Sequence, residues 1–407
     1  MASAPTSPRK NQQPSISSSE SIEEFCTSDE VDSDTDSNEE NVLPVMKSKN
    51  LSTNEILNTT ENRLLYKFFK ALSKGNTLKD LRKKEIRVLA DFLNTTPELN
   101  LKNLDIFNSD IGDDGAKLLA TIIKKRTTIT SISFRSCKIG DEGAKALTEV
   151  IKSNADCRIN KFELRENIFG IEGTSAIAQM LTTNNSITEL NLSCNEIENE
   201  GIEILVEGIK SNHTIRSISL NAISIDSDGV KPLANLIQTS TTLISLEIGS
   251  NSITAEGAIY LADAIKANPY TNLAKLDLDR NNIGVSSDNK NNHTNVGYAA
   301  LADTMEVNSS IVELDLSFNE SNKESEFDKE IINQQCGLNA KRAQIEGNIT
   351  TALNLLTDHP NPIDGTVTSV GDVNQVIAKK LFVLDKSDKL ISAKIRKNPD
   401  SVINKYT

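Results

Sequence analysis

The sequence predicts a repeat protein of the α/β class, in which units of one strand and one helix stack side by side. The template unit is clearest at Leu190–Ile197, where apolar and polar residues alternate as in a half-buried strand. After a short gap, Gly201–Ile209 carries apolar residues on one helical stripe. This strand-then-helix pattern recurs along a little over half of the chain.

Eight units align on the middle apolar residue of the strand, at Leu104, Ile132, Phe162, Leu190, Ile218, Leu246, Leu276 and Leu314. The spacings are 28, 30, 28, 28, 28, 30 and 38 residues. The first seven units each have a glycine after the strand, and apolar residues stand four and eight positions beyond that glycine. Because a single unit cannot bury its apolar side, neighbouring units must close a continuous core between them.

An acidic residue directly precedes the glycine in six units, at Asp114, Glu142, Glu172, Glu200, Asp228 and Glu256. A carboxylate in the first turn of a helix complements the positive end of the helix dipole. We therefore interpret these acids as helix starts and not as a catalytic or metal-binding array.

The fifth position after the strand centre is an asparagine in five units: Asn167, Asn195, Asn251, Asn281 and Asn319. An asparagine there can bind backbone groups of the turn after the strand. With the period near 28, this column resembles the leucine-rich repeat family, and in particular its ribonuclease-inhibitor-like class, over residues 99–319. The resemblance implies a curved solenoid with a parallel sheet on the concave side and helices on the convex side. Ser109 and Ile223 depart from the column, so two weaker rungs are expected there.

The regions before the repeats differ in charge. Residues 1–50 carry ten acidic and four basic residues and few that could form a core, so a disordered acidic tail is expected, either regulatory or merely solvating. Residues 51–98 contain apolar residues at helical spacing, which predicts a helical N-terminal cap. The basic cluster Arg82–Lys84 fits either an acidic partner or an ordinary solvated helix face.

Two further segments break the period. Ten residues are inserted in the seventh repeat, and the insert at 284–296 is expected to be a mobile loop that either binds a partner or has simply drifted. Residues 320–407 contain apolar residues that suggest a helical C-terminal cap or small module. Their basic end leaves a partner-binding helix or a membrane-surface contact open as alternatives.

Composition excludes several classes of protein. The chain has 407 residues, and no apolar run approaches the length of a membrane span. The first ten residues do not form a secretory signal, and five cysteines without C-x-x-C spacing suggest reduced thiols in a cytosolic protein. The net charge of −13 argues against general nucleic-acid binding. A monomer is expected.

The common catalytic motifs are not found. The three histidines, His213, His293 and His359, are scattered and lack metal-ligand spacing. No phosphate-binding loop, H-E-x-x-H or G-x-S-x-G occurs. The sequence therefore predicts a protein that is not an enzyme and needs no cofactor or metal, although an enzyme within 320–407 stays a weaker alternative.

The strand positions that point away from the core should line the concave face and form the recognition surface. One end of this face is expected to be basic, through Arg135, Lys161 and Arg165. The other end is expected to be acidic, through Glu247, Asp277, Asp279, Glu313 and Asp315. Phe107 and Phe318 are candidate exposed aromatic anchors. Such a face would select a protein partner with a basic patch.

Three functions are compatible with these features. The leading hypothesis is a non-catalytic adaptor or regulator in the cytosol that binds a protein partner on its concave face. The resemblance extends to bacterial proteins delivered into host cells, and richness in Asn, Lys and Ile makes such an effector in the host cytosol plausible. The alternative is a GTPase regulator similar to the Ran GTPase-activating proteins, whose acidic stretch follows the repeats, whereas here it precedes them.

Overall fold

The computed structural model describes residues 60–154, 156–286, 289–320 and 323–358. The chain divides into two compact units, Met1–Thr60 and Glu61–Thr407, and the described elements belong to the second except for the first residue of the first helix. The acidic tail expected at 1–50 lies outside the described residues, as do residues 359–407 of the expected C-terminal cap.

Strands and helices alternate along the described chain. The strands are β1 (Leu78–Lys79), β2 (Asn103–Phe107), β3 (Ser131–Arg135), β4 (Lys161–Glu163), β5 (Glu189–Asn191), β6 (Ser217–Ser219), β7 (Ser245–Glu247), β8 (Lys275–Asp277), β9 (Val285–Ser286), β10 (Asn289–His293) and β11 (Glu313–Asp315). The helices are α1 (Thr60–Ser73), α2 (Lys83–Thr95), α3 (Gly112–Lys125), α4 (Asp141–Ser153), α5 (Ile171–Leu181), α6 (Glu198–Lys210), α7 (Ser227–Thr239), α8 (Ala255–Ala267), α9 (Val296–Val307) and α10 (Lys323–Asp358).

Nine of the strands form one open parallel sheet in the order β1-β2-β3-β4-β5-β6-β7-β8-β11. Equivalent residues of successive units pair directly, as in Leu190 with Ile218 and Leu246 with Leu276. The register holds across the 38-residue unit, where Leu276 pairs with Leu314. The α/β repeat fold predicted from the sequence is therefore confirmed.

The core lies between the sheet and the helices. Alternate strand residues point into it, so the two apolar columns of the repeat are buried, whereas the residues between them face away from the helices. One apolar cluster runs from Phe68 in α1 to Cys336 in α10. The glycine column allows close packing: a Cβ at Gly143 would lie 2.8 Å from Cγ2 of Ile139 and 3.0 Å from Cβ of Ala116.

A residue with left-handed backbone follows each repeat strand from β2 to β8 and β11, and the sequence does not reveal it. The residue four positions after the strand centre has a positive φ in all eight repeats: Asn108, Ser136, Glu166, Cys194, Ala222, Ser250, Arg280 and Phe318. None is glycine, although this conformation costs other residues roughly 1–2 kcal/mol. Seven of the eight donate their backbone N–H to the next unit, to the carbonyl of the residue just before its own left-handed position, as in Ser250 to Asp279 at 2.7 Å.

The asparagine column stabilises these turns. The amide nitrogen of Asn167 donates to the carbonyls of Phe134 and Leu164 at 2.7 and 2.9 Å, and its oxygen accepts from the N–H groups of Cys137 and Ile139 at 3.1 and 3.0 Å. Each asparagine thereby joins its own turn to that of the preceding unit.

The two weak rungs differ from each other. The Ser109 hydroxyl accepts from the Leu81 N–H at 2.9 Å and donates to the Phe107 carbonyl at 2.9 Å, so it makes part of the asparagine pattern. Ile223 is fully buried, and its side chain has no polar atom. Its rung is therefore carried only by the turn of the following unit, where Asn251 accepts from the Ile223 N–H at 3.1 Å.

A second set of polar contacts joins successive helix starts. Asp113, near the start of α3, accepts from the N–H groups of Gly140 and Gly143 at 2.7 and 2.9 Å, and Asp141 does the same for the next helix. A carboxylate thus caps the N-terminus of the following helix instead of its own. The six acids that precede the glycines lie in first helical turns, which confirms their interpretation as helix starts.

Helices flank the repeats at both ends of the described chain. Residues 60–98 contain α1 and α2, and β1 between them joins the sheet beside β2, with Leu78 opposite Ile106. Helix α10 packs on α9, and the side chain of Asn339 donates to the carbonyls of Asn308 and Ile311 at 3.1 and 2.8 Å.

The insert at 284–296 contains an antiparallel hairpin of β9 and β10 where a loop is expected from the sequence. It lies between β8 and α9, and Val285 is buried. Short strands escape prediction here because the insert is rich in Asn, Ser and Asp and has no alternating apolar residues.

Candidate functional site

The candidate site is the side of the sheet that the helices do not cover, here called the open face. Its side chains form three rows across the strands, because the parallel register places equivalent residues next to each other. The middle row runs through Asp105, Ser133, Glu163, Asn191, Ser219, Glu247, Asp277 and Asp315. All ten site residues predicted from the sequence lie in these rows or, for Phe318, directly after them.

The basic end expected from the sequence is internally paired. Arg135 lies 3.5 Å from an oxygen of Asp105 and 3.9 Å from one of Glu163. The Lys161 ammonium lies 3.8 Å from Glu163, and Arg165 lies 2.9 Å from Glu166. Each of the three cations therefore faces a carboxylate, and this end of the face presents little net positive charge.

The acidic end keeps an excess of negative charge. Its five carboxylates are those of Glu247, Asp277, Asp279, Glu313 and Asp315. Lys275 lies 3.0 Å from Glu247 and 3.6 Å from Glu313, and Arg280 pairs with Asp279. Five acids thus stand against two cations, a net charge of −3.

Two of these carboxylates, Asp277 and Asp315, form no ion pair among the residues described, although Lys275 acts on Asp277 at longer range. Asp277 accepts from the Asp279 N–H at 2.9 Å, and Asp315 accepts from the Ser317 N–H at 2.8 Å. Burial, together with the charges of Asp279, Asp315 and Glu247, raises the pKa of Asp277 above its ordinary value. Burial is the largest cause of the raised pKa and the neighbouring carboxylates add to it, so a cation from another molecule beside Asp277 would favour its charged form.

The two predicted aromatic residues occupy opposite ends of the face. Phe107 is 38% exposed, and the Arg135 guanidinium lies 5.3 Å from its ring centre. Phe318 is 75% exposed, with the Arg280 guanidinium at 4.4 Å. Phe318 is therefore the more accessible of the two, and it lies beside the acidic end.

The middle of the face separates the two charged groups. Strands β4 and β7 are three strand spacings apart, about 15 Å. Between them lies a shallow depression of about 110 Å³ lined by Lys161, Glu163, Glu189, Asn191, Ser217 and Ser219, with Phe162 and Leu190 below.

Comparison with known families follows the same repeat. A family model described as Leucine Rich repeat matches residues 99–120, 125–147, 183–206 and 239–262. Its four matches fall on strand–helix units of the sheet described above. The matched units of this chain are leucine-rich repeats.

Solved structures similar to the leucine-rich repeats share 15–19% sequence identity with them. A tropomodulin C-terminal domain from Caenorhabditis elegans is 19% identical, with a TM-score of 0.36 over 42% of this chain and 96% of that one. The leiomodin-1 actin-binding site 2 is 15% identical, with a TM-score of 0.36 over 44% and 97%. A TLR13–ssRNA13 complex is 15% identical, with a TM-score of 0.34 over 58% and 30%. No curated protein gives a significant match.

Three observations concern metal binding, thiol reactivity and membrane spans in the part of the chain that the structure describes. There, no group of three His, Cys, Asp or Glu residues could hold a metal ion. Burial raises the pKa of the Cys137 thiol to about 12, so this sulfur is not a nucleophile at neutral pH. No helix in the same ranges is both long and apolar enough to cross a membrane.

Proposed function

We propose that this protein is a non-catalytic interaction module whose open face binds a basic patch on the surface of a protein partner. The observation that carries the proposal is the uncompensated charge of Asp277 and Asp315 at the acidic end. Leucine-rich repeats form a protein-interaction fold, and a charged face of this kind steers a partner and sets its register.

The opposite end supports the same choice. Because Arg135, Lys161 and Arg165 already face carboxylates, an acidic partner would have to break these contacts before it gained new ones. A basic partner at Asp277 and Asp315 breaks none. The exposed ring of Phe318 adds an aromatic anchor beside these carboxylates.

The test uses the double variant Asp277→Asn/Asp315→Asn as bait. Asparagine keeps the oxygen that accepts from the Asp279 and Ser317 N–H groups, so the turns should be preserved. The matched control is Glu149→Gln/Glu203→Gln, which removes the same charge from exposed positions on α4 and α6.

Quantitative mass spectrometry of proteins captured from lysate would identify a partner, and its affinity would then be measured with purified components. Two partly screened ion pairs are worth about 1–2 kcal/mol together, so affinity should fall about tenfold in the test variant and stay unchanged in the control. A partner that binds both variants equally well would rule out the acidic end.

The alternative of a GTPase regulator is separated from pure binding by single-turnover GTP hydrolysis. Candidate small GTPases would be assayed with and without the full chain. Accelerated hydrolysis would favour the regulator, whereas binding without acceleration would favour the adaptor.

Two finer proposals accompany the main one. The 28-residue spacing with a full helix in each unit supports the ribonuclease-inhibitor-like class. Cytosolic location, or delivery into a host cytosol as an effector, rests on the cysteine usage and composition of the sequence, and a fluorescent fusion followed in living cells would test it.

A further inference from the structure

The sheet is held together by a hydrogen bond that repeats from unit to unit. The N–H of the second apolar residue of each unit donates to the carbonyl of the middle-row residue of the next strand, as in Leu220 to Glu247 at 2.7 Å and Leu278 to Asp315 at 2.9 Å. The left-handed residue two positions later donates in the same direction, as in Arg280 to Ser317 at 2.8 Å. Each strand thus presents the same N–H groups to the strand that follows.

For β11 these N–H groups belong to Leu316 and Phe318, which lie just after the strand. Among the described residues no strand follows β11 in the sheet, so both groups stand at an open sheet edge. The apolar side chains there are also less covered than in the interior: Leu314 and Leu316 are 8% and 7% exposed, whereas Leu276 and Leu278 in β8 are fully buried. Helix α10 packs on α9 and also contacts β11, where the Cys336 thiol forms a hydrogen bond with the Leu314 backbone, so α10 borders this edge on the core side.

The chemistry around this edge defines what it would accept. A strand added beside β11 would place alternate residues on the open face next to Glu313 and Asp315, where positive charge is favourable. Its other residues would lie against Leu314 and Leu316, which are buried but less completely than their equivalents in β8, and aliphatic side chains would complete that cover. The exposed ring of Phe318 would border its end. The required segment is therefore extended, with basic and aliphatic residues in alternation.

A second copy of this chain does not meet that requirement. Pairing two β11 edges would bring the carboxylates of Glu313 and Asp315 from both copies together on one face, and like charges in neighbouring strands are destabilising. The edge thus favours a basic segment of another protein.

From these observations we propose that the open edge of β11 binds an extended segment of alternating basic and aliphatic residues, which joins the sheet as a tenth strand. This inference rests on the proposed function, because it specifies how a basic partner would engage the acidic end. Strand addition at an exposed sheet edge obtains affinity from backbone hydrogen bonds and specificity from alternate side chains.

The test uses the full chain and the fluorescently labelled peptide Lys-Val-Lys-Val-Lys-Val-Lys, with binding measured by anisotropy. Two derivatives are N-methylated, one at the lysines and the other at the valines, so that charge and side chains stay the same. In a paired strand only alternate N–H groups face the partner. One derivative should therefore bind at least tenfold more weakly than the other.

The identity of the weaker derivative reports the strand direction. In this sheet the residues on the open face direct their N–H groups to the preceding strand, as Glu313 does to Ala274 at 3.1 Å. Loss of binding on lysine methylation thus means parallel addition, and loss on valine methylation means antiparallel addition. Equal binding of the two derivatives would overturn the inference.

Two measurements complete the test. Hydrogen exchange of the Leu316 and Phe318 amides should be fast in the free chain and slower when the peptide is bound. Protection of these amides without the peptide would mean that the edge is already occupied, for instance by the chain's own residues 379–386. A dimer in analytical ultracentrifugation that the peptide dissociates would assign the edge to a second copy. Either result overturns the inference.

The proposed function can fail separately. If Asp277→Asn/Asp315→Asn releases the lysate partner but the two methylated peptides bind alike, recognition at the acidic end is supported and strand addition is refuted. The variant Phe318→Asn adds a further check, because asparagine tolerates the left-handed backbone at this position. It should weaken peptide binding severalfold, and unchanged binding would remove Phe318 from the site.

Discussion

Replacing Asn167 by alanine should destabilise the solenoid strongly for a single substitution. The side chain is 6% exposed, and its oxygen accepts from the N–H groups of Cys137 and Ile139 in the turn of the preceding unit. Alanine leaves both buried donors without this acceptor, at about 1–3 kcal/mol each. The carbonyls of Phe134 and Leu164 each lose a donor as well. Since water can enter part of the space, we expect a loss of about 3 kcal/mol.

Urea unfolding followed by circular dichroism would measure this loss. With a slope of about 3 kcal/mol per molar urea, the midpoint should fall by roughly 1 M. The control is Asn103→Ala, at an exposed strand position, which should change stability by less than about 0.5 kcal/mol. Equal midpoints for the two variants would refute the idea that the asparagine column holds neighbouring units together.

Three further predictions concern packing, protonation and thiol reactivity. Gly208→Ala should lower the free energy of unfolding in urea by about 1–3 kcal/mol, because the added Cβ would lie 2.5 Å from the carbonyl oxygen of Ala178. The control Gly337→Ala adds a Cβ with nothing within 4 Å and should be neutral or stabilising. Asp277→Asn should raise stability at neutral pH, because the pKa of this carboxyl is raised in the folded chain. The contribution of a group with a raised folded pKa is fully present below the unfolded pKa of about 3.9 and is lost as pH rises through the folded pKa. The stability gain of the variant should therefore vanish in acid, and a difference that does not depend on pH would disprove the prediction. Iodoacetamide at pH 8 should label the partly exposed Cys157 and Cys194 in the native chain but spare the buried Cys137, whose thiol pKa is raised to about 12, and mass spectrometry that finds Cys137 labelled would contradict its burial.

The repeating part of the fold could be predicted because its causes are local and periodic. The buried side of each strand and helix is indicated directly by the apolar columns, such as those at Leu190 and Leu192 in the strand and at Ile202 and Leu205 in the helix. The bonds of Asn167 follow equally from its fixed place after the strand. Each of these features depends on one residue and its immediate backbone.

Other features could not be predicted because they lack a shared residue type. The left-handed positions include Ala222, Arg280 and Phe318, which have no common chemistry, and in seven of the eight a hydrogen bond to the next unit accompanies that conformation. Strand β1 escapes detection because Asn76 occupies the position where later units have an apolar centre.

The candidate site shows the same division. Alternation along each strand predicts which residues reach the open face, but not which of them pair across strands. Lys275 is on that face in the sequence, yet its position between Glu247 and Glu313 depends on the parallel register and on the reach of its side chain. The balance of charge at each end is therefore a property of the assembled sheet.

The hairpin of β9 and β10 shows how this protein tolerates added sequence. The ten extra residues enter between β8 and α9, and Lys275, Leu276 and Asp277 still pair with Glu313, Leu314 and Asp315. A change of length at this point is thus absorbed within one unit and does not pass along the stack. For protein engineering, the segment at 285–293 is a natural graft point, where an epitope or binding loop could be inserted while the neighbouring repeats keep their alignment.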